Sequence, residues 1–370
     1  MSWQKEITEG ITTAPQLAAA LGLSPEAEAE CARIIERYPM MITPYYLSLV
    51  DKDDPDDPIA RMCVPSPDEF DPGGSFDTSG EASNTKLEGL QHKYGPTVLL
   101  LSTNVCAMYC RHCFRKRLVG LSDEELLERA DEAIAYISSH GEINNVLVSG
   151  GDALMNPNHV IRRYLSGLSA IEHLDLIRFG SRLPVTLPER IYGDAELLDM
   201  FAEYSKKKTL IVVTQFNHPR ELTEKAALAV RSLLERGIQV RNQTVLLRGV
   251  NDNGEVLGKL LSGLTRIGVS PYYIFQCRPV TGVKGRFQVP LAEGCRIVDE
   301  AKSRQNGIGK SVRYAMSHPR GKIEIIGRLP GSGEMIFKFH QAKDPAELAR
   351  IFTVPLDGHE TWLDDELRGI

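Results

Sequence analysis

From residue 97 onward the chain alternates between two hydrophobic patterns. Short runs rich in β-branched residues, at 97–102, 145–148, 176–179, 209–214, 239–245 and 272–275, have the length and composition of buried strands. Longer stretches between them, at 123–140, 157–171, 194–206, 221–235 and 253–267, repeat apolar residues at the period of amphipathic helices. Strands that alternate with crossover helices build a parallel sheet. Six such units predict an α/β fold, a partial (β/α)6 barrel; a doubly wound open sheet shares the same local pattern.

The flanks read differently. Residues 13–50 read as helical. Thr13 before Ala14-Pro15 and Ser24 before Pro25-Glu26 each place a capping hydroxyl ahead of an early proline, and the second helix runs to about Arg37. Residues 51–90 open with Asp-Lys-Asp-Asp-Pro-Asp-Asp-Pro and stay rich in Asp, Pro, Gly and Ser. Little core is expected there, so the stretch reads as a long surface segment, either a solvated linker or a lid or intersubunit wrap. Past residue 280 a helix is expected at 296–304. A hairpin follows, its strands at 322–326 and 334–339 around Pro-Gly-Ser-Gly, and residues 353–370 form a mixed, acidic tail. The expected organisation is an N-terminal helical region (1–50), an irregular acidic connecting segment (51–95), the barrel (96–280) and a C-terminal α+β extension (281–370).

Composition narrows the function classes. A hydrophobic fraction of 42% over 370 residues suits a packed globular core. The net charge of −6 argues against general nucleic-acid affinity. No apolar run reaches the roughly 18 residues of a membrane span, and Met-Ser-Trp-Gln-Lys-Glu-Ile lacks the apolar core of a secretory signal. Seven cysteines, an odd number with three clustered, point to a reducing compartment and metal binding, and the cytoplasm is the expected location.

That cluster is Cys106-Ala-Met-Tyr-Cys110-Arg-His-Cys113, a C-x3-C-x2-C spacing whose thiolates can share one metal centre. A cubane iron–sulfur cluster has four irons, so three thiolates leave one iron open for chemistry. A structural zinc site would need a fourth ligand, usually from a second cysteine pair. His112 sits awkwardly between Cys110 and Cys113, and Cys31, Cys63, Cys277 and Cys295 are scattered like core thiols. The cysteines follow the first barrel strand, and reactive groups of such barrels gather at the C-terminal ends of strands. Ser149-Gly150-Gly151-Asp152, Gly180-Ser181-Arg182, Gln215 to His218 and Gln276-Cys277-Arg278 occupy the equivalent places after later strands. Glycines there let backbone approach a ligand, and Asp152 can accept from an ammonium; an ordinary βα turn is the plainer reading.

The three-cysteine spacing after a first strand resembles the signature of radical SAM enzymes. Within them the chain resembles the lysine 2,3-aminomutase family. The resemblance rests on Ile-Thr-Pro-Tyr-Tyr-Leu-Ser-Leu (42–49), the cysteine stretch, Val-Leu-Val-Ser-Gly-Gly-Asp-Ala-Leu (146–154) and Gly-Ser-Arg-Leu-Pro-Val (180–185). It continues through Phe-Asn-His-Pro (216–219), Asn-Gln-Thr-Val-Leu-Leu-Arg-Gly-Val-Asn-Asp (242–252) and Pro-Tyr-Tyr-Ile-Phe-Gln-Cys (271–277). It covers about residues 35 to 325. Tyr109 departs from many radical SAM members by preceding the second cysteine.

The resemblance implies a 4Fe-4S cluster whose open iron is chelated by S-adenosyl-L-methionine, and a 5'-deoxyadenosyl radical after one-electron cleavage. It implies pyridoxal 5'-phosphate as well, which carries the substrate nitrogen from Cα to Cβ through an azacyclopropylcarbinyl intermediate. Carried over residue by residue, Gly150, Gly151 and Asp152 hold the methionyl amino group. Gln243 lies near S-adenosyl-L-methionine. Lys322, in Pro319-Arg320-Gly321-Lys322, forms the resting Schiff base. Arg115 grips the substrate α-carboxylate. Lys93 stands beside the cofactor where the family has an arginine, and Arg182 is directed at the phosphate. Thr97 replaces another family arginine, which weakens or reroutes phosphate binding. Each of these polar residues also has a purely structural reading.

Two departures bear on substrate. Lysine-specific members place aspartates where this chain has Arg278 and Ala315. A distal ammonium would be repelled by Arg278, so a glutamate or a neutral amino acid is the expected substrate, unless Arg278 pairs with an internal carboxylate such as Glu324. The C-x-C-x2-C of those members is missing after residue 295. Zinc-assisted interlocking is therefore not expected, and homo-oligomerisation would use the tail. The expected function is a radical SAM, pyridoxal-phosphate-dependent amino-acid 2,3-aminomutase. Its expected partners are a free amino acid and a flavodoxin- or ferredoxin-type reductant, with no nucleic acid and no membrane. The alternatives are a family enzyme with a different outcome or without pyridoxal phosphate, a β-lysine-forming enzyme serving translation-factor modification, and an iron–sulfur electron carrier.

Overall fold

The computed structural model describes residues 3–121, 126 and 129–370. One twelve-stranded sheet takes its strands in chain order. These are β1 (Thr85–Leu87), β2 (Leu90–Tyr94), β3 (Thr97–Thr103), β4 (Asn145–Gly150), β5 (Leu176–Gly180), β6 (Thr209–Thr214), β7 (Gln239–Leu246), β8 (Ser270–Gln276), β9 (Arg313–His318), β10 (Gly321–Arg328), β11 (Glu334–Ala342) and β12 (Ile351–Pro355). Strands β3 to β9 pair in parallel. Antiparallel strands flank them on both sides. Among the described residues β12 does not pair back to β1, so the curved sheet is a partial barrel and stays open.

All six predicted strands are present, and each predicted crossover helix lies between its strands. Ala130–Ser139, Asn158–Ser169, Ala195–Tyr204, Glu224–Leu234 and Gly254–Arg266 cover the outer face. The expected start of the first, at 123, lies outside the described residues. Asp194, Thr223 and Asn253 cap three of these helices by accepting from backbone N–H groups of the first turn. The period-2 geometry of the strands then separates two environments. Val98, Leu100, Val146, Val148, Ile177 and Phe179 face the helices and are buried in the core. Their neighbours Thr97, Leu99, Asn145, Leu147, Ser149 and Arg178 face an interior cavity.

The structure adds a seventh parallel strand. Arg313-Tyr-Ala-Met-Ser-His318 lacks a β-branched run, so propensity does not mark it. It becomes a strand because the helix Leu291–Ser303 returns the chain beside β8. The predicted hairpin is β10 and β11. The tail is not loose. Trp362, Leu363 and Leu367 are buried, and Gln276 Nε2 donates to the Thr361 carbonyl at 2.9 Å.

Residues 51–90 correct the expectation of a surface segment with little core. The acidic opening, residues 51–56, is exposed, and the rest of the segment mixes exposed and buried positions. Asp57 then caps the helix Pro58–Cys63, its Oδ1 accepting from Ala60 N at 2.7 Å. Ile59, Met62 and Cys63 of that helix are fully buried, as are the carboxylate-bearing Glu69 and, nearly so, Glu81. The apolar content was too sparse to reveal a core because the segment contributes to a core built mainly by the barrel. No helix among the described residues is long and apolar enough to cross a membrane. A surface residue replaced by alanine changes stability by under about 0.5 kcal/mol, whereas Ile59→Ala should cost about 2–5 kcal/mol, read as a lowered urea midpoint.

Candidate active site

The interior cavity has a volume of about 730 Å³ and opens at the C-terminal ends of the parallel strands. Every residue singled out above for the site lines it: Cys106, Cys110, Cys113, Gly150, Gly151, Asp152, Lys93, Arg115, Arg182, Gln243, Arg278 and Lys322. Sequence positions up to 229 residues apart, from Lys93 to Lys322, therefore share one space.

The cysteine loop leaves β3 and is held from outside. Tyr109 N donates to the Met41 carbonyl and Arg111 N to the Met62 carbonyl, each at 2.9 Å. Arg111, buried, forks onto the Glu69 carboxylate, with Nε 2.9 and 3.0 Å from its two oxygens, and Lys116 Nζ joins the same carboxylate. Burial alone would raise the Glu69 carboxyl, but Arg111 and Lys116 outweigh it and hold the group below its ordinary value. The three sulfurs are free thiols that face the cavity together. Burial pushes Cys113 up to about 11 and Cys106 well above its ordinary value, so the thiolate form needs a cation to stabilise it. Among the described residues no three His, Cys, Asp or Glu side chains close around a single point. A single metal ion would require such a point. A cubane takes one thiolate per iron, so three sulfurs bordering a common space are the donor set it needs.

The glycines after β4 make close approach possible. Gly150 adopts φ +116°, and a Cβ there would lie 2.2 Å from the Thr103 carbonyl oxygen; one on Gly151 would lie 2.5 Å from that of Val105. Asp152 N donates to the Val105 carbonyl at 2.8 Å, so this turn is stitched to the approach to Cys106. The Asp152 carboxyl is buried, which raises it to about 6 against the donation from Ser181, Arg182 N and Leu154 N. A cation brought to it would be strongly favoured.

Arg115, Arg278, Lys93 and Lys322 are among the cationic side chains that line the cavity. Arg115 donates through Nε to Glu81 at 3.1 Å and through Nη1 to Ser149 Oγ at 3.4 Å. Arg117 takes the other Glu81 oxygen at 2.7 Å. Arg278 stacks its guanidinium 4.1 Å over the Phe114 ring. Among the described residues it has no ion-pair partner, and Glu324 lies instead toward Arg313 at 3.8 Å, which removes the proposed Arg278–Glu324 pair. Burial lowers Arg278 to about 10 despite the field of Glu81. Lys93 Nζ donates to the carbonyls of Ser79 at 3.1 Å and His318 at 2.6 Å, and burial with the nearby Arg278 lowers it to about 7.

Lys322 is the most unusual of these. It is not at the start of an exposed strand. Its amine sits 4.3 Å over the Tyr273 ring and 5.6 Å from that of Phe275. Burial, then Arg178, Arg278 and Lys93, push it down from 10.5 to about 7. A lysine so placed holds a neutral, nucleophilic amine near neutral pH. Gly321 permits the geometry, since a Cβ there would lie 2.3 Å from the Gln341 carbonyl oxygen of β11.

Arg182 corrects an expectation. It was directed at a phosphate, but its guanidinium turns to Cys110 Sγ at 2.9 Å, the Gln215 carbonyl at 3.0 Å and Glu221 at 2.5 Å. Sequence reasoning also missed Glu69, Glu81 and Arg178. A signal for the two carboxylates existed: Arg115-Lys116-Arg117 beside Arg111 puts four cations in seven residues, and a buried loop of that charge demands counter-charges.

Residues 100–260 match the family model described as the Radical SAM superfamily. Along nearly its full length the chain is similar to a protein of Aquifex aeolicus named "Putative L-lysine 2,3-aminomutase", 39% identical over 342 residues, 92% of this chain and 91% of that one. The L-lysine 2,3-aminomutase of Clostridium subterminale is 38% identical over 308 residues, 82% of this chain and 73% of its own. The glutamate 2,3-aminomutase of Clostridioides difficile is 34% identical over 321 residues, 86% of this chain and 74% of its own.

The Glu81 carboxyl sits at about 2, against an ordinary 4.5; burial would raise it, and Arg115, Arg278 and Arg117 more than reverse that. Its contribution to stability should therefore be complete above pH ~4.5 and vanish as pH falls toward 2, an effect of about 3 kcal/mol. Denaturant titrations of wild type and Glu81→Gln should differ by that amount at pH 7 and converge at the acid end.

Proposed function

The chain belongs to the lysine 2,3-aminomutase family of radical SAM enzymes, and we propose that it shifts the amino group of an anionic or neutral amino acid from Cα to Cβ. Membership makes it an aminomutase, an isomerase of the radical SAM type. The observation that carries the fuller reading is that one cavity holds both the three-cysteine loop and a buried lysine amine with no acceptor among the described residues.

The residues divide the work. Cys106, Cys110 and Cys113 would hold three irons of a 4Fe-4S cluster. Asp152, with the backbone of Gly150 and Gly151, would accept from the amino group of S-adenosyl-L-methionine, and Gln243 faces the same space from β7. Lys322 would hold pyridoxal 5'-phosphate. The chemistry these groups supply when bound is abstraction of a hydrogen atom from an unactivated carbon and passage of nitrogen between neighbouring carbons. The chain's own part is to bind, orient and exclude. Arg115 offers a fork for the α-carboxylate, oriented by Glu81. Arg278, with no ion pair among the described residues, faces the space a distal group would fill and favours a carboxylate there. Lys93 and the two carbonyls it bonds border the same wall. Ser79, Glu81, Gln91, Lys93 and Tyr94 line one side of the cavity. A flavodoxin- or ferredoxin-type protein would deliver the electron.

An anaerobic screen of the common amino acids, read by mass spectrometry for β-amino products, is the direct test. Glutamate or a neutral amino acid should rearrange; if none does, the reading fails. Arg278→Asp should improve kcat/KM for lysine relative to glutamate by roughly 100-fold, since reversing a charge beside the distal group is worth several kcal/mol. Lysine turned over by the wild type as well as glutamate is would sink the substrate assignment.

Lys322 gives a separate prediction. Its neutral fraction rises as pH passes about 7, so the imine absorbance formed on adding pyridoxal 5'-phosphate should grow through that pH and then level. In Lys322→Ala the band should be missing at every pH.

A further inference from the structure

Arg182 ties the cysteine loop to the turns after β4 and β6. Its backbone N–H donates to Asp152 Oδ2 at 2.6 Å. Its Nε donates to the Gln215 carbonyl at 3.0 Å, its Nη1 to Cys110 Sγ at 2.9 Å, and its Nη2 to Glu221 at 2.5 Å and the Tyr46 hydroxyl at 3.2 Å. Glu221 is wholly buried. It accepts from Asn217 N at 2.6 Å, His218 N at 3.0 Å and the Tyr46 hydroxyl at 2.7 Å, so it is held in place independently of Arg182. Among the described residues Cys110 is the one cysteine of the motif to which a side chain donates.

We propose that Arg182 and Glu221 form a buried charge pair that sets the reduction potential of the cluster through Cys110. The inference rests on the reading that the three cysteines hold a 4Fe-4S cluster. Reduction adds one electron from an external low-potential donor and one unit of negative charge to the cluster. That electron later passes to the sulfonium of S-adenosyl-L-methionine; its carbon–sulfur bond breaks to methionine and the adenosyl radical, and the cluster returns to its oxidised charge. A hydrogen bond and a positive charge at a cluster sulfur stabilise the more negative, reduced form, which raises the potential. Glu221 opposes this by partly neutralising Arg182, in a dry setting where each charge acts at short range. The pair thus holds the potential between two limits. Arg182 is a positioning residue here, since it acts through Cys110.

The two partners predict shifts of opposite sign, which a purely structural role would not. The cluster-loaded full chain, without substrate, would be titrated with dithionite and mediators while the reduced-cluster signal is followed by electron paramagnetic resonance. Arg182→Gln should move the midpoint to more negative potential, and Glu221→Gln to more positive potential. Arg182→Lys keeps the charge, loses the Nη1 donation onto Sγ, and should fall between Arg182→Gln and wild type. Iron content and circular dichroism establish that each variant is folded and loaded. If Arg182→Gln cannot hold a cluster, Arg182→Lys and Glu221→Gln still decide: a downward and an upward shift support the pair, and wild-type midpoints or shifts of one sign overturn it. A wild-type protein that takes up no cluster overturns the reading beneath the proposal. A wild-type cluster whose potential is blind to all three substitutions overturns the proposal alone.

Discussion

Glu69 and Glu81 hold together a loop whose own charge would drive it apart. Arg111, Arg115, Lys116 and Arg117 crowd four cations around Cys113, and the loop is buried. Taking that many cations out of water is unfavourable unless carboxylates meet them with good geometry. Both carboxylates come from residues 51–90, and both are forked between two cations. Removing either would leave unpaired charge in a dry interior. The placement of the three sulfurs therefore depends on a stretch of chain that precedes the barrel, and Ser79 and Glu81 of that stretch line the cavity behind them.

Within that cavity the electrostatics are lopsided. Arg278, Lys93 and Lys322 face one another, with Glu81 as the nearby negative charge. Burial first, and the neighbouring cations after it, lower the Lys93 and Lys322 amines to about 7 each. A space so charged favours anions: a phosphate, an α-carboxylate, a distal carboxylate. It also keeps one amine neutral enough to attack a carbonyl carbon. One arrangement of charge thus serves binding and reactivity together.

The local signals were strong where backbone period and cap chemistry act within a few residues. Asp194, Thr223 and Asn253 announce helix starts, and the β-branched runs at 209–214 and 239–245 announce strands that stand where expected. The motif residues were legible too, because Cys106 to Cys113 and Gly150 to Asp152 are contiguous. What failed locally was β9, whose sequence carries no strand propensity and whose pairing comes from both neighbours. The segment 51–90 failed for a related reason: its few apolar residues complete a core that other elements supply. The guanidinium of Arg182 could not be aimed from sequence, since Cys110 and Glu221 lie 72 and 39 residues away.

The sequence by itself determined the six strand–helix units, their order, and that three thiols follow the first strand of a parallel sheet. It determined this because hydrogen-bond period, capping and side-chain alternation are short-range properties. Only the tertiary structure decided that the Lys322 amine lies over Tyr273, that Arg115 leans on Glu81, that Arg278 has no ion pair among the described residues and that Arg182 reaches a cysteine. Each of those depends on which charges and rings share a low-dielectric space. Strands far apart in the chain set that sharing when the sheet curves and brings their inner faces together.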